Sequence, residues 1–215
     1  MISLLRERPR SVLLIGAHSD DIEIGCGATV LTLLALFPEI KIRWVVLSGE
    51  GARTDEARRG AAHFLKDARD PMVEVADFPD AAFAYQAAGS LKSHFRELSA
   101  NCRPDLVFTH RRDDMHQDHR FVAELTWQHF RDHTILEYEI PKYEGDLGRP
   151  GVFVPASLEI AERKIAATVE TFATQRDKPW FEAETLRALM RLRGNECRSP
   201  TGLAEAFHCA KMVLA

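Results

Sequence analysis

The sequence predicts an α/β fold built on a mainly parallel sheet with helices on both faces. Three observations carry this. Residues 12–17 (VLLIGA) form an unbroken apolar run of strand length, the mark of a strand buried on both faces. Strand-like and helix-like stretches then alternate as far as Phe130, and such alternation implies βαβ units. The length of 215 residues, 46% hydrophobic and 28% charged, suits one soluble domain spanning 1–215 with a sizeable core.

After the first strand, residues 25–37 read as a helix, entered through a glycine-bearing turn and closed by Pro38. Residues 41–48 (KIRWVVLS) make a second strand. Residues 54–66 are helical, with Asp55 and Glu56 placed where the positive end of the helix dipole favours acid. A short third strand at 72–75, a helix at 91–100, a fourth strand at 105–110 (DLVFTH) and a helix at 121–130 follow. Across 139–155 the composition turns to proline, glycine and charge. An irregular loop that long inside a compact domain is usually functional, so it predicts a substrate-facing flap, against the plainer reading of a surface connection. Residues 156–174 and 182–192 read as helices, and 204–214 as a last helix or strand.

Several function classes are disfavoured by composition. A net charge of -4 offers no basic excess for nucleic acid or an anionic membrane surface. Cys26, Cys102, Cys197 and Cys209 form no CxxC, so neither a thiolate zinc site nor a disulfide framework is expected. Residues 1–5 are too short an apolar stretch for a signal peptide, and no run approaches a membrane span. A cytoplasmic protein is expected, and a homo-oligomer stays open.

In open parallel sheets ligands sit beyond the carboxyl ends of the strands, and two polar clusters fall there. His18-Ser19-Asp20-Asp21 follows the first strand, and the stretch from His110 to His119 follows the fourth. His18, Asp21 and His119 offer two imidazoles and a carboxylate with positions left open, a set that suits zinc or another divalent transition ion such as Fe2+. Asp20, beside Asp21, is placed to deprotonate a water whose pKa the ion lowers from about 15.7 toward about 7. His116 is placed to donate to an oxyanion or protonate a leaving amine, and Asp118 to hold that imidazole in its tautomer. Each piece alone reads as a helix cap or a solvated helix face. Both together, at the ends of parallel strands, read as a metal site.

The stretch Ala17-His18-Ser19-Asp20-Asp21 with Gly25-Cys26-Gly27-Ala28-Thr29, and His116-Gln117-Asp118-His119 after Pro104-Asp105-Leu106-Val107-Phe108, closely resemble the PIG-L / LmbE-like family of zinc-dependent N-deacetylases. Ser48-Gly49-Glu50 with residues 53–56, and Ala204-Glu205-Ala206-Phe207, resemble further family segments. The resemblance implies a Rossmann-like three-layer sandwich and zinc on His18, Asp21 and His119. It implies Asp20 as base, His116 as electrophile or acid, and Arg53 as a contact to substrate hydroxyls or phosphate. Ser19 and Gln117 stand where the family often has proline, and Ile22 where it often has an acid; no ligand is lost.

The resulting expectation is a zinc hydrolase that removes an acetyl group from an N-acetylated amino sugar or its conjugate. Another amide or ester hydrolase on the same site is the nearest alternative, and a non-catalytic metal-binding protein a further one. Gly25-Cys26-Gly27 lacks the third glycine of a dinucleotide loop. His110 is read as lining the pocket or as core. Trp180 and Tyr143 are read as stacking on a sugar or as packing, and Arg193, Glu196 and Glu205 as a buried ion pair or as reaching the pocket.

Overall fold

The structure is a computed structural model that describes residues 8–213; the stretch read against a signal peptide and the last residue of the 204–214 segment lie outside these. Along the chain run β1 (Ser11–Gly16), α1 (Asp21–Leu36), β2 (Lys41–Val46), α2 (Ala52–Phe64), β3 (Met72–Val75), α3 (Phe83–Gln86) and α4 (Ala88–Asn101). Then come β4 (Leu106–His110), α5 (Gln117–His129), β5 (Thr134–Tyr138), β6 (Val152–Pro155), α6 (Leu158–Thr171), α7 (Ala183–Glu196) and β7 (Ala204–His208), with a 3-10 turn at Ala173–Gln175.

The seven strands form one sheet in the order β3-β2-β1-β4-β5-β7-β6. The five strands from β3 to β5 are parallel, and β7 pairs antiparallel with both β5 and β6. In β1, Val12 and Leu14 enter one core while Leu13 and Ile15 enter the other. That alternation of side chains across a strand explains the unbroken apolar run: each face has a helical layer to cover. Helices α1, α2, α6 and α7 supply Leu31, Phe64, Ile165 and Met190 to the first core, and α4 and α5 supply Phe95 and Leu125 to the second. The result is a Rossmann-like three-layer sandwich. Strand order reverses between β1 and β4, so a crevice opens beyond their carboxyl ends.

Several elements depart from the sequence reading: the short α3 was not expected, α5 begins at Gln117, four residues early, and α1, β5 and β6 differ as follows. Helix α1 begins at Asp21, four residues early, because Gly25 and Gly27 lie inside it; a Cβ on Gly25 would stand 2.3 Å from the Tyr138 ring. Strand β5 escaped notice because its buried Glu137 reads as a surface residue. Glu137 is in fact held by Arg112 Nε at 3.0 Å and Trp127 Nε1 at 2.5 Å. The 139–155 stretch is not irregular throughout, since its last four residues are β6, paired with β7 from Val152 opposite Phe207. Of the segment 204–214, Ala204–His208 is the strand β7. All four cysteines are free thiols. Among the described residues no helix is long and apolar enough to cross a membrane.

Candidate metal centre

After β1 the chain turns through Ala17–Asp20 into α1. Asp20 occupies the cap position of α1, but its side chain makes no capping bond. Asp21 Oδ2 instead accepts the main-chain N–H of His18 at 2.6 Å, which folds the turn back so that both side chains address one point. On the neighbouring strand, β4 leads through a loop to His116, the cap of α5, and to Asp118 and His119 in its first turn.

Donor atoms of three residues converge. His18 Nδ1 lies 3.2 Å from His119 Nε2 and 3.4 Å from Asp21 Oδ2, and His119 Nε2 lies 3.4 Å from Asp21 Oδ1. Zinc–nitrogen bonds of about 2.0–2.1 Å at tetrahedral angles put donors about 3.3–3.4 Å apart, so the two imidazole nitrogens, and each of them with one of the two Asp21 oxygens, are spaced as ligands of one first-row ion would be. His116 brings a further imidazole nitrogen within 4.8 Å of donors from His18 and His119.

Each free ring nitrogen faces a carboxylate, so that a bound cation could take the place of a proton on the converging one. Asp114 Oδ2 stands 3.0 Å from His119 Nδ1. Asp80 Oδ1 and Asp118 Oδ2 stand 3.0 and 3.3 Å from His18 Nε2. A carboxylate on the far nitrogen fixes the tautomer and makes the near nitrogen a better ligand. Asp114 is itself gripped by the buried ammonium of Lys142 at 3.0 Å, which also bonds Asp146 at 2.8 Å. The 139–155 loop is thereby tied to the neighbourhood of His119.

Asp118 divides its work differently from the sequence reading. Its main-chain N–H, not its carboxylate, meets His116, donating to Nδ1 at 3.3 Å. The carboxylate serves His18 and accepts the Phe83 N–H at 3.1 Å. With Nδ1 accepting, the His116 proton belongs on Nε2. Burial, and then the charge of His119 and His18, push the His116 pKa down to about 4, so the ring is neutral at pH 7.

Asp20 is buried, and burial followed by the Asp21 charge raises its pKa above the ordinary aspartate range. Asp21 goes the other way: burial opposes its charge, but His119, His110 and His18 outweigh it and hold the carboxyl well below that range. Arg53, at the start of α2, pairs with Asp80, which links it to His18.

His110 belongs to this cluster. It is fully buried, stacks on His119 with ring centroids 3.9 Å apart, and brings Nε2 to 2.9 Å from the Ala17 nitrogen and 3.1 Å from Asp21 Oδ2. Asp80, Asp114 and Lys142 were missed by sequence reading. Only Asp114 carried a signal, as an acid five residues before His119 in the same loop. Arg193 and Glu205 do not reach the site: Arg193 pairs with Glu139 at 2.7 Å, and Glu205 with Lys164 at 2.7 Å.

Fold and cluster together define a Rossmann-like α/β protein whose switch-point crevice is lined by groups able to hold a metal ion. The chain belongs to the PIG-L family: the family model, described as GlcNAc-PI de-N-acetylase, matches residues 13–130, more than half of the 215. Among solved structures, the conserved protein TT1542 from Thermus thermophilus superposes with a TM-score of 0.74 at 20% identity, covering 95% of this chain and 96% of that one. N,N'-diacetylchitobiose deacetylase from Pyrococcus horikoshii gives 0.70 at 18%, covering 96% and 85%. GalB, the 4-carboxy-2-hydroxymuconate hydratase from Pseudomonas putida, gives 0.76 at 18%, covering 96% and 98%. At such identities the likeness is one of fold.

Proposed function

We propose that this chain is a zinc-dependent hydrolase that removes an acetyl group from an N-acetylated amino sugar or its conjugate. The observation that supports it most is a His/Asp donor set with a buried carboxylate, Asp20, beside it that makes no side-chain hydrogen bond among the described residues. When bound, the ion on His18, Asp21 and His119 supplies a Lewis acid that polarises the amide carbonyl and acidifies water.

The chain's own groups do the rest. Asp20 takes a proton from the attacking water, and its raised pKa lets it hold that proton and pass it to the leaving nitrogen. Neutral His116 offers its Nε2–H to the oxygen that gains charge, and the Asp118 main-chain N–H keeps that tautomer. Arg53, steadied by Asp80, meets a substrate hydroxyl or phosphate.

The test is acetate release from a panel of N-acetylglucosamine conjugates by zinc-loaded protein. Asp20→Asn is expected to keep its zinc and lose about a hundredfold or more of turnover, the ordinary worth of a positioned base. His119→Ala is expected to lose zinc. Near-normal turnover in the first variant removes the base assignment, and a full zinc complement in the second removes the ligand assignment. The fold likeness to a hydratase supports one other reading, water addition without loss of acetate, and silence across the panel would favour it.

A further inference from the structure

Among the described residues three that are not glycine have positive φ: Asp70 at 53°, Ala81 at 56° and Arg198 at 55°. Two have local reasons. Aspartate tolerates that region because its short polar side chain bonds nearby main chain. Arg198 follows the end of α7, where the Ser199 N–H returns to the Gly194 carbonyl at 2.8 Å, the left-handed stop of a helix. Ala81 has neither. An L-residue in that region is disfavoured about five- to thirtyfold. Such a conformation persists only where its surroundings hold it.

The holding groups come from the start of α5. The Gln117 side chain meets the Ala81 carbonyl, and since a carbonyl only accepts, the amide nitrogen donates. Next to it, Asp118 Oδ1 accepts the Phe83 N–H at 3.1 Å. The turn so anchored presents two groups to His18. Asp80 Oδ1 stands 3.0 Å from His18 Nε2 and the same carboxylate pairs with Arg53, while the Phe83 ring stacks along the His18 ring with centroids 6.1 Å apart.

We propose that Gln117 is a positioning residue: its amide holds Ala81 in the left-handed turn that sets Asp80 against His18 and Arg53. Without that bond Ala81 relaxes to an ordinary backbone and carries the Asp80 carboxylate away from both. Asp118 alone then orients the His18 ring. This rests on the metal-hydrolase reading and adds to it the group that fixes the reach of Asp80.

Proline can replace Gln117 without breaking the helix. Gln117 is the first residue of α5, where proline is tolerated. His116 before it has φ -71° and ψ 126°, the extended backbone that a following proline favours. Gln117→Pro therefore removes the amide and keeps the turn that carries His116, Asp118 and His119.

The experiment measures zinc affinity by chelator competition in wild type, Gln117→Pro, Ala81→Gly and the double variant, each with its urea midpoint as a check of folding. Gln117→Met, which keeps the length but not the donor, replaces the proline variant if that one does not fold. Gln117→Pro is expected to bind zinc about tenfold more weakly, the low end for loss of an orienting partner, since Asp118 still serves His18. Glycine adopts positive φ without strain, so Ala81→Gly alone is expected to bind as wild type does. In its background the factor due to Gln117→Pro is expected to shrink toward unity, a rescue that a role confined to α5 would not give. Wild-type affinity in Gln117→Pro, or a loss of the same size with Ala81→Gly present, overturns the proposal. If wild type takes up no zinc, the metal-hydrolase reading fails instead. Hydrogen exchange of the Phe83 N–H in the metal-free protein then decides for Gln117: faster exchange in Gln117→Pro, slowed again by Ala81→Gly, sustains it, and any other pattern overturns it.

Discussion

His18 and His119 present different nitrogens to the same point, Nδ1 from one and Nε2 from the other, and their far-side carboxylates select which. For His119 that carboxylate is Asp114, and Lys142 holds Asp114 through its second oxygen. Removing such a partner typically weakens metal binding about 10–100-fold. Asp114→Asn is therefore expected to bind zinc that much more weakly in a chelator competition, and Lys142→Met to fall in the same direction by a smaller factor. Wild-type affinity in both would mean that His119 needs no orienting partner. His116 is governed by a main-chain N–H, so Asp118→Asn is expected to disturb His18 more than His116.

At the scale of the element, α1 is two helices joined by a kink. Cys26 has φ -145° and ψ 17°, and the break frees main-chain groups in the core. Glu205 of β7 accepts the Ala28 and Thr29 N–H groups at 3.0 and 2.7 Å, while Lys164 of α6 donates to the Ile24 carbonyl at 2.7 Å. Lys164 and Glu205 then neutralise each other at 2.7 Å. Removing one partner of a buried pair leaves a bare charge and costs about 3–5 kcal/mol. Glu205→Ala is expected to lose stability on that scale in urea unfolding, with Lys164→Met, Glu205→Ala together losing less than the sum. Strict additivity would break the link between the two.

Across the whole molecule, the sheet's antiparallel end is locked by charge. Arg193 of α7 meets Glu139 at 2.8 and 2.7 Å through two guanidinium nitrogens, both side chains being buried. Burial raises the Glu139 pKa, but His208 and Arg193 outweigh it and hold the carboxyl below the ordinary glutamate range. A depressed folded-state pKa adds stability above the unfolded value of about 4.3, and that stability is lost as pH falls through the folded value. Wild type is expected to be more stable than Glu139→Gln at neutral pH, and the two to converge in urea midpoints as pH falls below the unfolded value and through the folded one. A constant gap across that window would mean that the pair contributes packing and not charge.

By itself the sequence determined the parallel α/β core, because double-sided burial forces apolar runs that need no partner to be recognised. It also marked His18, Asp20, Asp21 and His119 as candidates that the fold then brings together, since each cluster is local, lying within four residues of one strand-to-helix or loop-to-helix turn. Tertiary structure decided what those clusters touch. Asp80 and Asp114 reach the histidines, and Lys142 reaches Asp114, from separate loops, and which loops meet is fixed only when the strand order reverses between β1 and β4. The start of α1 was misjudged because Gly25 answers to Tyr138, more than a hundred residues away, and not to its neighbours in sequence. Short-range pattern records burial and local turns; long-range contact alone sets the tautomers, the kink and the charge that surround the site.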